Sequence, residues 1–261
     1  MSVTTRPIGD LLRDWRQRRR LSQLELSLDA GISARHLSFL ETGRSQPSRD
    51  MVLRLADRLD VPLRERNVLL HAAGYAALFP ERALDDPALR AARQAVEQVL
   101  AGHEPYPALA VDRHWTLITA NGATMRLLGG VGAELLQPPV NVLRLALHPS
   151  GLAPRTANLG EWRAHLLARL GHQIQVTGDP ILARLLGELR QYPAPDNAAQ
   201  DADENAFVVP FKLRTDAGTL AFFSTTTVFG TPVDITLSEL AVEAFYPADA
   251  ATAEALRRAA A

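Results

Sequence analysis

Cysteine is absent from this 261-residue chain, and lysine occurs once, at Lys212. Without thiols there is no disulfide framework, no cysteine nucleophile, no thiolate-held metal or cluster and no direct thiol redox sensing. Aromatic residues are sparse, at 6%, and no apolar run approaches the ~20 residues that span a bilayer. The arginine-rich N-terminus leads into no signal-like apolar core, so the expected setting is the cytoplasm, with no membrane partner. Neither sign of charge dominates, with 28 basic against 29 acidic side chains. What is present is ample apolar content, 47%, enough for packed cores in about two domains.

The balanced charge is an average over unlike parts. Residues 1–75 carry 13 arginines against 9 acidic residues, a net of +4, and the remainder carries 15 basic against 20 acidic, a net of −5. Such asymmetry points to an anion-binding segment joined to something else.

Helical periodicity is clearest in residues 1–75. Ile8, Leu11, Leu12 and Trp15 form one apolar stripe, with Arg13, Arg16, Arg18, Arg19 and Arg20 mostly off it. Ser22-Gln23-Leu24-Glu25 is a capping box that starts a second helix. Gly31 supplies a turn, and Ser33 caps a third helix that Gly43 stops. Its Leu37 and Leu40 are expected inside with Leu24, Leu28 and Ile32. Helices at 49–59 and 63–73 complete an all-α five-helix domain.

Residues 76–104 read as a linker with a connecting helix over 87–101. From 105 to 261 the period changes. Strands are expected at 107–112 and 115–120 around an Arg113-His114 turn, and at 207–214, 220–228 and 233–244. Helices are expected at 122–128, 141–147, 160–170 and 180–190, and a solvated loop at 192–205. This part is an α+β domain.

The N-terminal domain resembles the helix-turn-helix domain of the XRE and lambda-repressor-like family. The residues that carry the likeness are Leu21-Ser22-Gln23-Leu24-Glu25-Leu26-Ser27, Gly31-Ile32-Ser33 and Leu37-Ser38-Phe39-Leu40-Glu41-Thr42-Gly43-Arg44. The resemblance implies double-stranded DNA as partner, with the third helix in the major groove, and a homodimer on a pseudo-palindromic operator. It places Gln23 and Arg44 against phosphate. Ser33, Ala34, Arg35, Ser38 and Phe39 take groove-facing positions, with His36 beside them. Arg35 is the candidate sequence reader because its planar fork matches guanine O6 and N7. Arg16 and Glu41 match a pair that the family uses as an internal salt bridge.

Residues 105–256 resemble the MmyB-like ligand-binding domain, a PAS-like fold. The likeness rests on Glu104-Pro105-Tyr106-Pro107-Ala108, Val111-Asp112-Arg113-His114-Trp115, Ala120-Asn121-Gly122-Ala123, the segment Asn141 to Leu152, Phe229-Gly230-Thr231-Pro232-Val233-Asp234 and Phe245-Tyr246-Pro247. It implies a noncovalent, small hydrophobic, fatty-acid-like effector. Asn141, Arg144 and His148, at i, i+3 and i+7, would form a polar stripe in which Arg144 holds a carboxylate. Trp115, Phe222 and Phe229 are pocket candidates, as well as core candidates along with Phe245. No cofactor and no metal site is expected. His165 and His172 share a helical face without a third ligand, and Asp201, Asp203 and Glu204 look like a solvated acidic cluster. No Gly-x-Ser-x-Gly, phosphate-cradling glycine loop or His-Glu-x-x-His occurs, so no enzyme is expected. The reading is a DNA-binding, effector-responsive transcription regulator. The alternative is one whose second domain only dimerises or binds protein.

Overall fold

The computed structural model describes residues 6–193, 209–216, 218–230 and 232–260. The chain divides into two compact units. The first is built on Met1–Arg82 with Gln175–Thr177 and Pro232–Ile235, and the second on Ala83–Ile174, Gly178–Thr231 and Thr236–Ala261.

The first unit is helical: α1 (Ile8–Arg18), α2 (Gln23–Asp29), α3 (Ala34–Glu41), α4 (Arg49–Arg58) and α5 (Leu63–Ala72). Local chemistry sets these boundaries. Ser22 Oγ accepts from Glu25 N–H while the Ser22 N–H donates to Glu25 Oε2 at 2.6 Å, closing the capping box. Ser33 and Ser48 cap α3 and α4 through the hydroxyl alone, accepting from His36 and Met51 N–H. Gly31, at φ 64°, makes the turn between α2 and α3. Leu12, Leu26, Leu37, Leu40, Leu55, Leu59 and Leu70 are fully buried in the core.

Leu24 and Leu28 are not in that core. They are 60% and 71% exposed, because α2 turns its other stripe inward: Leu26, Ser27 and Ala30 are buried. Ser27 can occupy the core because its hydroxyl donates to Leu24 O at 2.8 Å.

At Gly9, α1 comes close against the end of α3. A Cβ there would lie 2.5 Å from Leu40 O and 2.6 Å from Glu41 O. Gly9→Ala therefore forces backbone apart, and a loss of about 1–3 kcal/mol is expected in denaturant unfolding. A neutral or stabilising effect would show that α1 and α3 do not meet there.

The second unit begins with α6 (Arg90–Gly102), then β1 (Ala108–Val111) and β2 (Leu117–Ala120). Next come α7 (Gly122–Leu127), α8 (Val142–Leu147), α9 (Leu159–Thr177) and α10 (Pro180–Leu189), followed by β3 (Phe211–Thr215) and β4 (Gly218–Val228). It closes with α11 (Ile235–Ser238), β5 (Ala241–Pro247) and α12 (Ala250–Ala260). The five strands form one antiparallel sheet in the order β2-β1-β5-β4-β3. One face carries Ala108, Ala110, Val242 and Ala244, which pack with Val96 and Leu100 of α6. The other carries Val111, Phe211, Leu213 and Phe222, which pack with Leu143, Trp162, Leu166, Leu170 and Leu182 from the helices. Asn121 ties the elements together. Its Oδ1 accepts from Ala108 and Thr124 N–H, each at 3.1 Å, and its Nδ2 donates to Tyr106 O at 2.7 Å.

Several expectations give way here. The strand expected at 233–244 begins only at Ala241, preceded by the short α11. Ala241 pairs with Val111 on one side and Val228 on the other, and both neighbours end there, so residues before 241 have no strand to pair with. Helix α9 runs on to Thr177, where Gly178 at φ 67° caps it, beyond the expected end at 170. The alanine-rich tail forms α12, as alanine propensity favours. Strand β2 starts two residues late because Trp115 takes φ 66° in the turn. Most of the expected loop at 192–205, the acidic Asp201, Asp203 and Glu204, and Phe207 lie outside the described residues.

Candidate functional site

In the first unit, the α3 surface combines an exposed Arg35 with Phe39, which is half-buried. The Arg35 guanidinium carbon lies 5.3 Å from the Phe39 ring centre and that of Arg44 lies 5.9 Å from it, so one ring flanks two cations. Arg44 is placed by the end of α3: Gly43 takes φ 71°, and Arg44 N–H donates to Phe39 O at 2.9 Å. Ala34, His36 and Ser38 are half-exposed on the same helix. Ser33 is exposed, and its hydroxyl accepts from His36 N–H at 3.1 Å, which stiffens the first turn.

Behind that surface lies an internal clamp. Glu41 is only 2% exposed. Arg16 Nε and Nη2 donate to its two carboxylate oxygens at 2.6 and 2.8 Å, and a third Arg16 bond, to Leu21 O at 2.8 Å, holds the α1–α2 turn. Gln23, expected against phosphate, turns its amide inward and donates to Glu41 Oε2 at 2.7 Å. Arg13 approaches the same oxygen at 3.8 Å. Burial alone would raise the Glu41 carboxyl. The Arg16 fork, then the Gln23 amide and the charges of Arg16 and Arg13, outweigh it and hold the group below the usual carboxylate range.

The second unit forms a partly open cavity of about 100 Å³ between the sheet and α7, α8 and α9. Its walls are almost wholly apolar, with Leu109, Leu145, Trp162, Leu166, Phe211 and Phe245 prominent. Of the aromatic candidates, Trp115 and Phe222 line it, whereas Phe229 packs on the opposite side of the sheet with the α6 cluster.

The expected stripe on α8 takes another form, because that helix has only six residues. Asn141 is its N-cap, accepting from Leu143 and Arg144 N–H at 3.2 Å and donating to His114 O at 2.8 Å. His148 follows the last turn and meets Tyr192 edge-on at 5.0 Å. Arg144 forks onto Glu188 of α10 with two 2.8 Å bonds, and Tyr192 donates to the same carboxylate at 2.6 Å. The Arg144 bond lowers Glu188, while burial and then Glu188 push the Tyr192 phenol up to about 12. None of Asn141, Arg144 and His148 lines the cavity.

The polar groups that do line it were not singled out from the sequence. Glu243 of β5 is 4% exposed and bonds Arg169 of α9 through both oxygens, at 2.5 and 2.9 Å. Arg169 also donates to Thr226 Oγ1 at 2.7 Å and sits 4.6 Å over the Trp115 ring. The Trp115 indole is fixed in turn by Gln173 Oε1 at 2.8 Å. A signal existed: Arg169 falls on the same face as Trp162 and Leu166, and Glu243 alternates with Ala241 and Phe245 on the inward side of a strand. A charge on a buried stripe asks for a partner. Among the described residues, no three His, Asp or Glu side chains gather as a metal site requires. No helix among them is long and apolar enough to cross a membrane.

Residues 92–259 match the family of the MmyB-like transcription regulator ligand binding domain. The chain belongs to the MmyB-like transcription regulators. Residues 12–66 of this MmyB-like protein match the helix-turn-helix family, covering most of α1 to α5. The chain is also similar, at 34% identity over 125 residues, to a protein of Methanoculleus marisnigri named as an HTH-type transcriptional regulatory protein. That match covers 46% of this chain and 40% of the relative, so the chain spans less than half the length of the relative it matches. This MmyB-like chain thus joins a helix-turn-helix domain to an α+β domain of the transcription regulator ligand-binding family.

Proposed function

We propose that this regulator reads a specific operator through α3 as a homodimer, and that a small apolar effector in the second-unit cavity changes its operator affinity. The observation that carries the reading is the pairing, in one chain, of an α3 surface bearing Arg35, Phe39 and Arg44 with an apolar cavity lined by Trp115, Phe222 and Trp162. On DNA, Arg35 donates to guanine in the major groove and Arg44 meets phosphate, with the Phe39 ring holding both cations outward. Two chains place two α3 helices about 34 Å apart on a pseudo-palindrome. The effector acts by its differential affinity for the DNA-competent and DNA-incompetent states.

Two substitutions separate reading from attraction. Arg35→Ala is expected to relax preference at one base position, a loss of about 1–3 kcal/mol of discrimination there. Arg44→Ala weakens all sequences alike and lowers the slope of log affinity against log salt by about one. Selection from random duplexes followed by salt titration reads both. An unchanged preferred motif in the first variant removes Arg35 from base reading.

The effector arm is tested by native mass spectrometry of the full chain purified from cells, with operator affinity measured before and after the bound molecule is stripped. A copurified apolar molecule whose removal shifts affinity supports the reading. A bare chain whose affinity is unmoved by cell-extract small molecules contradicts it.

A further inference from the structure

A second cavity lies in the second unit, on the face of the sheet that packs against α6. It is a partly open groove of about 180 Å³ bounded by α6, β2 and α11. Its floor is aliphatic: Val96 and Leu240 are buried, and Ile118 and Leu237 are half-buried. Two charges border it. Arg93 is half-buried and Glu97 is exposed, and they stand four residues apart on α6, one turn from each other on the same side of the helix. Neither side chain has a hydrogen-bond or ion-pair partner among the described residues. Their order along the helix favours this, since a cation N-terminal to an anion is the weaker orientation at that spacing. In the cavity on the other face of the sheet, by contrast, Arg169 and Glu243 are already joined to each other.

We propose that this groove binds a free aliphatic α-amino acid as its zwitterion. The branched side chain lies on Val96, Ile118, Leu237 and Leu240, the carboxylate meets Arg93 and the ammonium group faces Glu97. An α-amino acid carries both charges on one carbon, close enough together to bridge two side chains one helical turn apart. The guanidinium can take the carboxylate through two N–H donors, and the aliphatic group removes apolar area from water on both partners. A ligand with one charge leaves the other side chain to solvent. The Arg93 contact is the stronger of the two, because Arg93 is partly shielded whereas the contact to exposed Glu97 is screened by water. The groove shares no lining residue with the cavity on the other face, so the two sites load independently.

The test titrates the full chain with L-leucine, with isocaproate, which lacks the amino group, and with isoamylamine, which lacks the carboxylate. Calorimetry gives affinity, and methyl resonances give the place of binding. L-leucine is expected to shift the methyls of Ile118 and Leu237, and the two single-charge analogues to bind there at least about fivefold more weakly. Arg93→Gln should weaken L-leucine by about five- to tenfold and leave isoamylamine unchanged, and Glu97→Gln should weaken L-leucine by about two- to threefold. Neither side chain is bonded to the rest of the protein among the described residues, so both variants are expected to fold. Equal L-leucine affinity in the native chain and Arg93→Gln overturns the proposal. So does L-leucine that moves only the methyls of Leu145 and Leu166, which line the other cavity, or that moves none at about 10 mM.

Discussion

Glu41→Ala is expected to cost the helix-turn-helix unit about 3–5 kcal/mol, the largest single effect on its stability. The magnitude follows from what is left behind. Arg16 is 11% exposed at its side chain, and its fork and the Gln23 amide both end on the Glu41 carboxylate. Removing the carboxylate strands a nearly buried guanidinium and a half-buried amide donor together. Glu41→Gln keeps one acceptor and the shape, and is expected to lose less, about 1.5–3 kcal/mol. Denaturant unfolding of the full chain, followed through Trp15 in the core of this unit, measures both.

The clamp also has a pH signature. Because the folded state holds Glu41 below its usual range, its contribution is fully present above the unfolded carboxyl value, near pH 4.5, and is lost as pH falls through the lower folded value. Acid should therefore loosen the first unit over that window, and Glu41→Ala should flatten the dependence. Equal acid sensitivity in the native chain and the variant would place the clamp's stability elsewhere. DNA affinity should fall together with stability, since α3 is seated by the same bonds that hold its last residue to α1 and α2.

Phe222→Ala is expected to cost the second unit a similar 3–5 kcal/mol. Phe222 is fully buried on the inner face of β4, with ring centres 6.1 Å from Phe211 and 6.4 Å from Phe245, and it walls the cavity. Truncation removes its contacts and enlarges a space that is already present. A small apolar probe such as benzene should then raise the melting temperature of the variant more than that of the native chain. A loss below about 1 kcal/mol would mean that the sheet and helices do not close on Phe222 as described.

How much of this was legible in the sequence depends on how local each signal is. The capping box at Ser22 and Glu25, the Ser33 cap and the Gly31 turn are local signals of a few residues each, and α2 and α3 follow from them. The side of α2 that faces inward was misread because Leu24 and Leu28 are as apolar as Leu26. The choice was made by Ser27 and Gln23, small or polar groups satisfied by Leu24 O and Glu41. In the second unit the alternating segments gave β1 and β4, but the start of β5 depended on where its neighbours ended, which alternation does not encode. The polar end of the cavity was hidden for the same reason: Arg169 and Glu243 are 74 positions apart and meet only once the sheet and α9 are packed. Arg144, the cation that stands out in the sequence of α8, is instead held by Glu188 on α10.

Recognition of a DNA sequence through α3 is measured by selecting from random duplexes with the full chain and titrating the enriched motif with salt. The expected result is a pseudo-palindromic motif with half-sites about one helical turn apart, bound with affinity that falls steeply with salt, and flattened at one position in each half-site by Arg35→Ala. No enriched motif, or a motif bound equally well by the native chain and Arg35→Ala, would contradict it.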